Sequence, residues 1–486
     1  MRFSLFLILS SLSQAEAPLG APVHRDLAQA TSSAQADAAT AQDKPALEKA
    51  GVCATGKDSQ LSFHELDELL LLRHARSPRG REILRHLLEG HLVDEIAKQR
   101  GVGAKQSEIE AHIELLEQQI ISSGQAKDLN QYLVDSGVAL EIFRDYMRLA
   151  VLQESLTRLS LGIEEGGNVT GEQQTAWLDS EIEKRGLKEP WQDLPDKDGV
   201  VLICAPVELK TSEFLSHLRA QLPPAELSET CYHLLLARRI SARMPDMAQT
   251  EIDKAIAQEI KRRRLVAESD PAYSGVGFER LLASQGLTLT SLQKDPSVTI
   301  AALSGLYIDE VYSEEGLRAA YNTERVFFDG YYGEALGVRA ILLQANLFPN
   351  EFIPRTFEAA ERELLKLMAL VSSEEDFLAF AQEHSEAKGK LAKGALHWMP
   401  LLDKQIGSEL LSEAFSRWGG RPEIPTLPSE RLLGPRRTPK GHAVLWLSGR
   451  RPAPAWKTMA VYVRQELRKR FIEEVLKPSE VVLTID

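Results

Sequence analysis

The sequence predicts a mainly α-helical region, read as two copies of one unit, followed by a small α+β domain. Three observations carry this. Apolar residues recur at helical spacing through roughly the first two thirds of the chain, four short landmarks recur in order at a similar offset, and β-branched runs begin after Arg325. At 486 residues the chain exceeds what one hydrophobic core supports. Its 43% hydrophobic and 26% charged residues are a globular balance. The formal charge of −13 argues against a general nucleic-acid binder, because phosphate contacts need a basic face. Cys53, Cys204 and Cys231 are too few, and odd in number, for a disulfide scaffold.

Taken in order, Arg2, the apolar run of residues 3–12 and Ala15-Glu16-Ala17 predict a signal peptide over 1–17, cleaved after Ala17. A frayed apolar terminus or an anchor is the alternative. No cysteine follows the run directly, which speaks against a lipoprotein. The expected location is periplasmic or secreted, without integral membrane insertion. Residues 18–50 are rich in Ala, Gln, Asp, Ser and Thr with no apolar period, and read as a flexible leader.

Residues 51–190 and 191–325 read as the two helical copies. Ile83, Leu84, Leu87, Leu88, Leu92 and Ile96 fit one helix face, as do Ile109, Ile113, Leu116 and Ile120. The stretch from Leu133 through Gly137 to Leu140 matches that from Leu282 through Gly286 to Leu289, an offset of 149. Glu108 pairs with Glu251 at 143 and Glu65 with Glu213 at 148, while Val169 to Glu172 matches Tyr312 to Glu315. Such order suggests duplication; chance similarity among amphipathic helices is the alternative. The polar, proline-broken stretch 189–199 is the boundary.

Residues 326–455 read as the α+β domain. Residues 338–343 predict a strand, Phe357, Ala360, Leu364, Leu367 and Val371 a helix, and Phe377, Phe380 and His384 a second. Residues 392–399 predict a strand, 409–418 a short helix and 443–447 a last strand between Gly441 and Gly449. Residues 456–486 supply a helix and a strand-like end, expected to pack on the helical region because a lone terminal strand lacks a partner.

The ordered segments Val338-Arg339-Ala340-Ile341-Leu342, residues 376–385 and Lys393-Gly394-Ala395-Leu396-His397-Trp398 resemble a parvulin-type peptidyl-prolyl isomerase domain. Glu413-Ala414-Phe415 and residues 434–441 continue the match. The helical part resembles the chaperone part of SurA-like periplasmic folding factors, and the likeness covers most of 51–486. It implies a folding factor whose partners are unfolded or extended protein clients, with no cofactor.

The departures bear on mechanism. Where the family carries a polar cluster beneath the prolyl pocket, this chain has Ala340, Ala387 and Ala443. Alanine offers no side-chain donor or acceptor. His442 is the one possible substitute, but strand alternation turns it to the opposite face unless a bulge intervenes. Leu396, Ile406 and Leu410 match the apolar lining of the proline site, though any core contains such residues. Isomerisation needs neither nucleophile nor metal; it must lower a barrier of roughly 18–20 kcal/mol by holding the amide twisted in a dry pocket.

His384 and His397 read as a helix-face residue and a replacement for a family glycine. Ser385-Glu386-Ala387-Lys388 spells S-x-x-K without its partner motifs. Lys261-Arg262-Arg263-Arg264 reads as a solvated helix face. No zinc spacing, P-loop or dinucleotide fingerprint occurs. The expectation is a client-binding folding factor with a degenerate isomerase site. An active isomerase with a rebuilt pocket and a non-catalytic helical scaffold are the alternatives.

Overall fold

The structure, a computed structural model, describes residues 51–484 apart from 57–58, 137–139, 165–166, 193, 271–272, 274, 404–405 and 422. The expected signal peptide, the leader and the turn at Gly137 lie outside the described residues. Two compact units emerge: one runs to Leu303 and takes in the end from Val475, the other is Ser304–Glu474.

In the first unit, β1 (Val52–Gly56) and β2 (Ser59–Ser62) form a hairpin. Ser62 then caps α1 (Phe63–His74) in a reciprocal box with Glu65, satisfying two orphan amides of the first turn. Ser77 caps α2 (Pro78–Arg100), whose first-turn proline has no N–H to leave unpaired. There follow α3 (Gln106–Ser122), α4 (Leu129–Ser136), α5 (Leu140–Leu161) and α6 (Gly171–Arg185). The order then starts again: β3 (Leu187–Lys188), β4 (Val200–Cys204), β5 (Val207–Lys210), α7 (Thr211–Gln221), α8 (Pro224–Ala242), α9 (Gln249–Ser269), α10 (Phe278–Ser284), α11 (Leu289–Lys294) and α12 (Pro296–Val311), whose last residues from Ser304 are counted with the second unit.

The recurrence reaches individual bonds. The first hairpin pairs Val52 with Ser62 and Ala54 with Leu61, its register slipping between them. The second pairs Val200 with Lys210 and Leu202 with Leu209, slipping at the same step. The amide of Phe63 donates to the Gly51 carbonyl at 3.0 Å, as that of Thr211 does to Gly199 at 3.0 Å. Leu61, Leu66 and Leu70 are buried on one side; Leu209, Phe214 and Leu218 are buried on the other. One cluster joins Ile109, Leu129, Phe143 and Met147 from α3, α4 and α5, and another joins Ile260, Phe278, Leu282, Leu292 and Val298 from α9 to α12.

The one long helix α5 has two short counterparts, α11 and α12. Pro296 removes an N–H and pushes Asp295 to extended backbone (ψ 127). Asp295 uses the break to pair with Arg73 at 2.8 Å. Each hairpin-plus-helix also engages the long helix of the other half: Glu65 pairs with Arg238, and Glu213 meets His91 at 2.5 Å. At Gly286 (φ +75) a Cβ would stand 2.4 Å from the Arg76 carbonyl, so this close crossing requires glycine.

The second unit contains α13 (Glu314–Thr323), α14 (Arg325–Tyr332), β6 (Ala335–Gln344), α15 (Phe357–Met368), α16 (Glu374–His384), β7 (His397–Pro400), α17 (Ser408–Trp418), β8 (Leu432–Thr438), β9 (Gly441–Arg451) and α18 (Trp456–Val475). Its antiparallel sheet has the order β7-β6-β9-β8. Alternation along β9 sends Ala443, Leu445 and Leu447 into a layer with α17, and Val444 and Trp446 into a layer with α15 and α16. Met459 and Val463 of α18 pack on Leu317 and Phe328, and the Tyr332 and Tyr462 rings stack 4.8 Å apart.

Two sequence expectations change here. The strand expected over 392–399 begins only at His397, because Gly389–Gly394 forms a 3₁₀ turn with Lys393 at φ 51. The edge strand β8 was not predicted. Gly434-Pro435 and Arg436-Arg437 hide its alternation, and an edge position tolerates a proline that cannot donate.

The last described strand, β10 (Val481–Leu483), returns to the first unit and pairs with β1, Ala54 opposite Leu483. β3 occupies the same side of β4, Leu187 opposite Cys204. Beyond each short strand one further carbonyl needs a donor. The Thr484 amide supplies it to Cys53 at 3.0 Å, and the Trp191 indole N–H supplies it to Val201 at 2.8 Å.

Candidate functional site

β6 and β9 lie side by side, which sets Ala340 opposite Leu445 and Ala443 opposite Leu342. Ala340 and Ala443 are buried, and Ala387 packs against the same cluster from the loop after α16. Their neighbours are Leu342, Met399, Leu411 and Ala414, with Ile406 and Leu410. The three alanines therefore share one apolar layer and present methyl groups to it.

The polar groups nearest this layer hold the loop. The Ser385 hydroxyl accepts from the Leu342 amide at 3.2 Å and from the Ala387 amide at 3.4 Å. The Glu386 amide donates to the Leu342 carbonyl at 2.8 Å. Its carboxylate accepts from the Gln344 amide at 2.5 Å and from Arg355 at 2.8 Å. These bonds stitch residues 385–387 to β6.

His442 sits opposite Leu343, on the other face of the sheet from Ala443. Its ring meets Phe357 edge-on at 5.8 Å, and its buried Nδ1 has no hydrogen-bond partner. Burial pushes its pKa down, favouring the neutral ring. Without a bulge at this step, the imidazole and the three alanines are separated by the sheet.

The residues expected to line a proline site part company. Ile406 and Leu410 are 2% and 1% exposed, inside the core with Ala340, whereas Leu396 is 42% exposed. The first two are packed as any core leucine or isoleucine would be.

Two features escaped sequence reasoning. His397 lies opposite Val338 on β7, and its Nε2 is 3.3 Å from the Asp403 carboxylate. A histidine six residues before an aspartate carries no periodic signal, so only the fold reveals the pair. The loop between β6 and α15 exposes Leu347, Phe348 and Phe352 at 67%, 82% and 93%. The Asn350 side chain fixes this loop by accepting from the Phe352 and Ile353 amides at 3.0 and 2.9 Å. Large apolar residues amid Asn, Pro and Glu were the available sign.

In the basic run, Arg262 and Arg263 both pair with the buried Glu259, and Arg264 pairs with Glu279. Among the described residues, no group of His, Cys, Asp and Glu is arranged to hold a metal ion. No described helix is long and apolar enough to cross a membrane.

No protein-family model and no curated protein matches the chain. Similar solved structures include a peptidylprolyl isomerase (PrsA) from Bacillus anthracis, 15% identical with a TM-score of 0.27, covering 51% of this chain and 94% of that one. A PpiC-type peptidyl-prolyl cis-trans isomerase domain is 28% identical with a TM-score of 0.19, over 26% of this chain and 97% of its own. A structure from the Campylobacter jejuni pair PEB4 and Cj1289, described as SurA-like chaperones, is 13% identical with a TM-score of 0.21, over 52% and 89%. The fold class is a mainly helical region with a small α+β domain.

Proposed function

We propose that this chain is an extracytoplasmic folding factor, periplasmic or secreted, that holds extended apolar or proline-containing client segments. Its parvulin-like domain acts as a binding module with little or no isomerase turnover. The observation that carries the catalytic half is the alanine trio: Ala340, Ala387 and Ala443 share one buried apolar layer, with His442 across the sheet. A twisted prolyl amide needs a polar partner to stabilise it, and these positions supply none.

The exposed Leu347, Phe348 and Phe352 favour a client binder over an inert scaffold, since clustered exposed aromatics mark interaction surfaces. The test pairs a prolyl-peptide isomerisation assay with an aggregation-suppression assay on the mature protein. The proposal expects suppression with turnover near the uncatalysed rate. Turnover equal to an active parvulin would replace it with the rebuilt-pocket reading; failure of both assays would leave the scaffold. Phe348→Ser with Phe352→Ser should weaken suppression and leave the melting temperature unchanged, as both rings are exposed.

A further inference from the structure

Cys53 and Cys231 stand far apart in sequence and meet in the first unit. Cys53 is on β1, Cys231 on α8, and both are fully buried at 0% exposure. The Cys53 thiol lies 3.4 and 3.3 Å from the carbonyls of Leu61 and Ser62, and the Cys231 side chain comes within hydrogen-bond reach of it. One turn further along α8, Leu235 reaches the same strand: a Cβ on Gly56 would stand 3.0 Å from its Cδ1. Strand and helix are thus also in contact beside the two cysteines. The third cysteine is elsewhere: Cys204 ends β4, its sulfur 3.9 Å from the Ile182 carbonyl.

We infer that Cys53 and Cys231 form a disulfide when the chain folds in an oxidising compartment, tying β1 to α8. This rests on the extracytoplasmic reading above. The chemistry is thiol–disulfide exchange with an external disulfide oxidant, a low-molecular-weight or protein disulfide. One thiolate attacks the oxidant to form a mixed disulfide and releases the first oxidant thiol. The second thiolate then displaces the other oxidant thiol, closing the Cys53–Cys231 bond. The two protein thiols lose two electrons and two protons in all, and the oxidant leaves as two thiols.

Timing follows from burial. The neighbouring Cys231 side chain and then desolvation raise the Cys53 pKa, and only the thiolate is nucleophilic. The bond therefore forms before the hairpin closes over α8, and once formed it is shielded from reductants.

The test uses the full chain exported to an oxidising compartment, purified without reductant, and alkylated in denaturant. The expected result is one alkylated cysteine, Cys204, and a peptide pair linking Cys53 to Cys231 that separates on reduction. A second arm refolds the denatured, reduced chain with oxidised glutathione. The same single cross-link should form, and the oxidised chain should unfold at a higher temperature than the reduced one. Cys231→Ser should abolish both the cross-link and that shift. Three alkylated cysteines after export, together with the cross-link on refolding, would overturn the compartment and leave the pair. Bridges to Cys204, or no bridge on refolding, would overturn the pair itself.

Discussion

His74 closes the last turn of α1, its ring 13% exposed and 3.7 Å from the Glu226 carboxylate. Burial is the main influence on it, with the Arg73 and Arg79 charges acting the same way. Against the pull of Glu226 they push its pKa down from 6.5 to about 4. The folded state therefore binds fewer protons than the unfolded state in this window, so stability rises with pH. It is fully present above about 6.5 and is lost as pH falls toward about 4. A shift of this size, at about 1.4 kcal/mol per unit, amounts to about 3 kcal/mol at the acid end. His74→Leu removes the titrating ring while keeping an apolar side chain. Urea unfolding of the first unit, followed across this range, should show a flatter pH dependence in the variant, the wild type losing stability relative to it as pH falls. Parallel curves for wild type and variant would refute the assignment, because other titrating groups are common to both.

Ala340→His should destabilise the second unit by about 1–3 kcal/mol, since an imidazole must be forced into a packed layer, and a thermal melt reads this directly. Trp191→Phe leaves the Val201 carbonyl without its indole donor and should cost about 1–3 kcal/mol, seen as a lower urea midpoint for the first unit. Removing residues 478–486 takes away β10, so the β1 amides should lose hydrogen-exchange protection while those of β6 and β9 keep theirs.

Most of the helices and the central strands were legible because each buries one periodic face: Ile83, Leu84, Leu88, Leu92 and Ile96 in α2, or Val444 and Trp446 against Ala443 and Leu445 in β9. What was hidden depends on long-range pairing. The two-residue β3 has no pattern of its own and exists only because β4 offers an edge. The break at Pro296 was written in the sequence, but its use, the Arg73–Asp295 pair, joins residues that only the fold brings together. At the candidate site, alternation alone indicates the face of His442. The sequence cannot show that Ile406 is sealed and Leu396 open, because both are simply aliphatic.

The pairing of β1 with β10 has a consequence for biogenesis. Thr484 hydrogen-bonds the carbonyls of Val52 and Cys53, and the Val52 bond closes a span of 432 residues. A chain emerging from the ribosome, or threading through a translocon, presents the edge of β1 long before its closing strand is made. The first sheet therefore stays open until synthesis has passed Leu483, with the whole second unit already delivered. A product truncated at any earlier point carries an unsealed strand edge. Completion of this sheet thus reports that synthesis has passed Leu483.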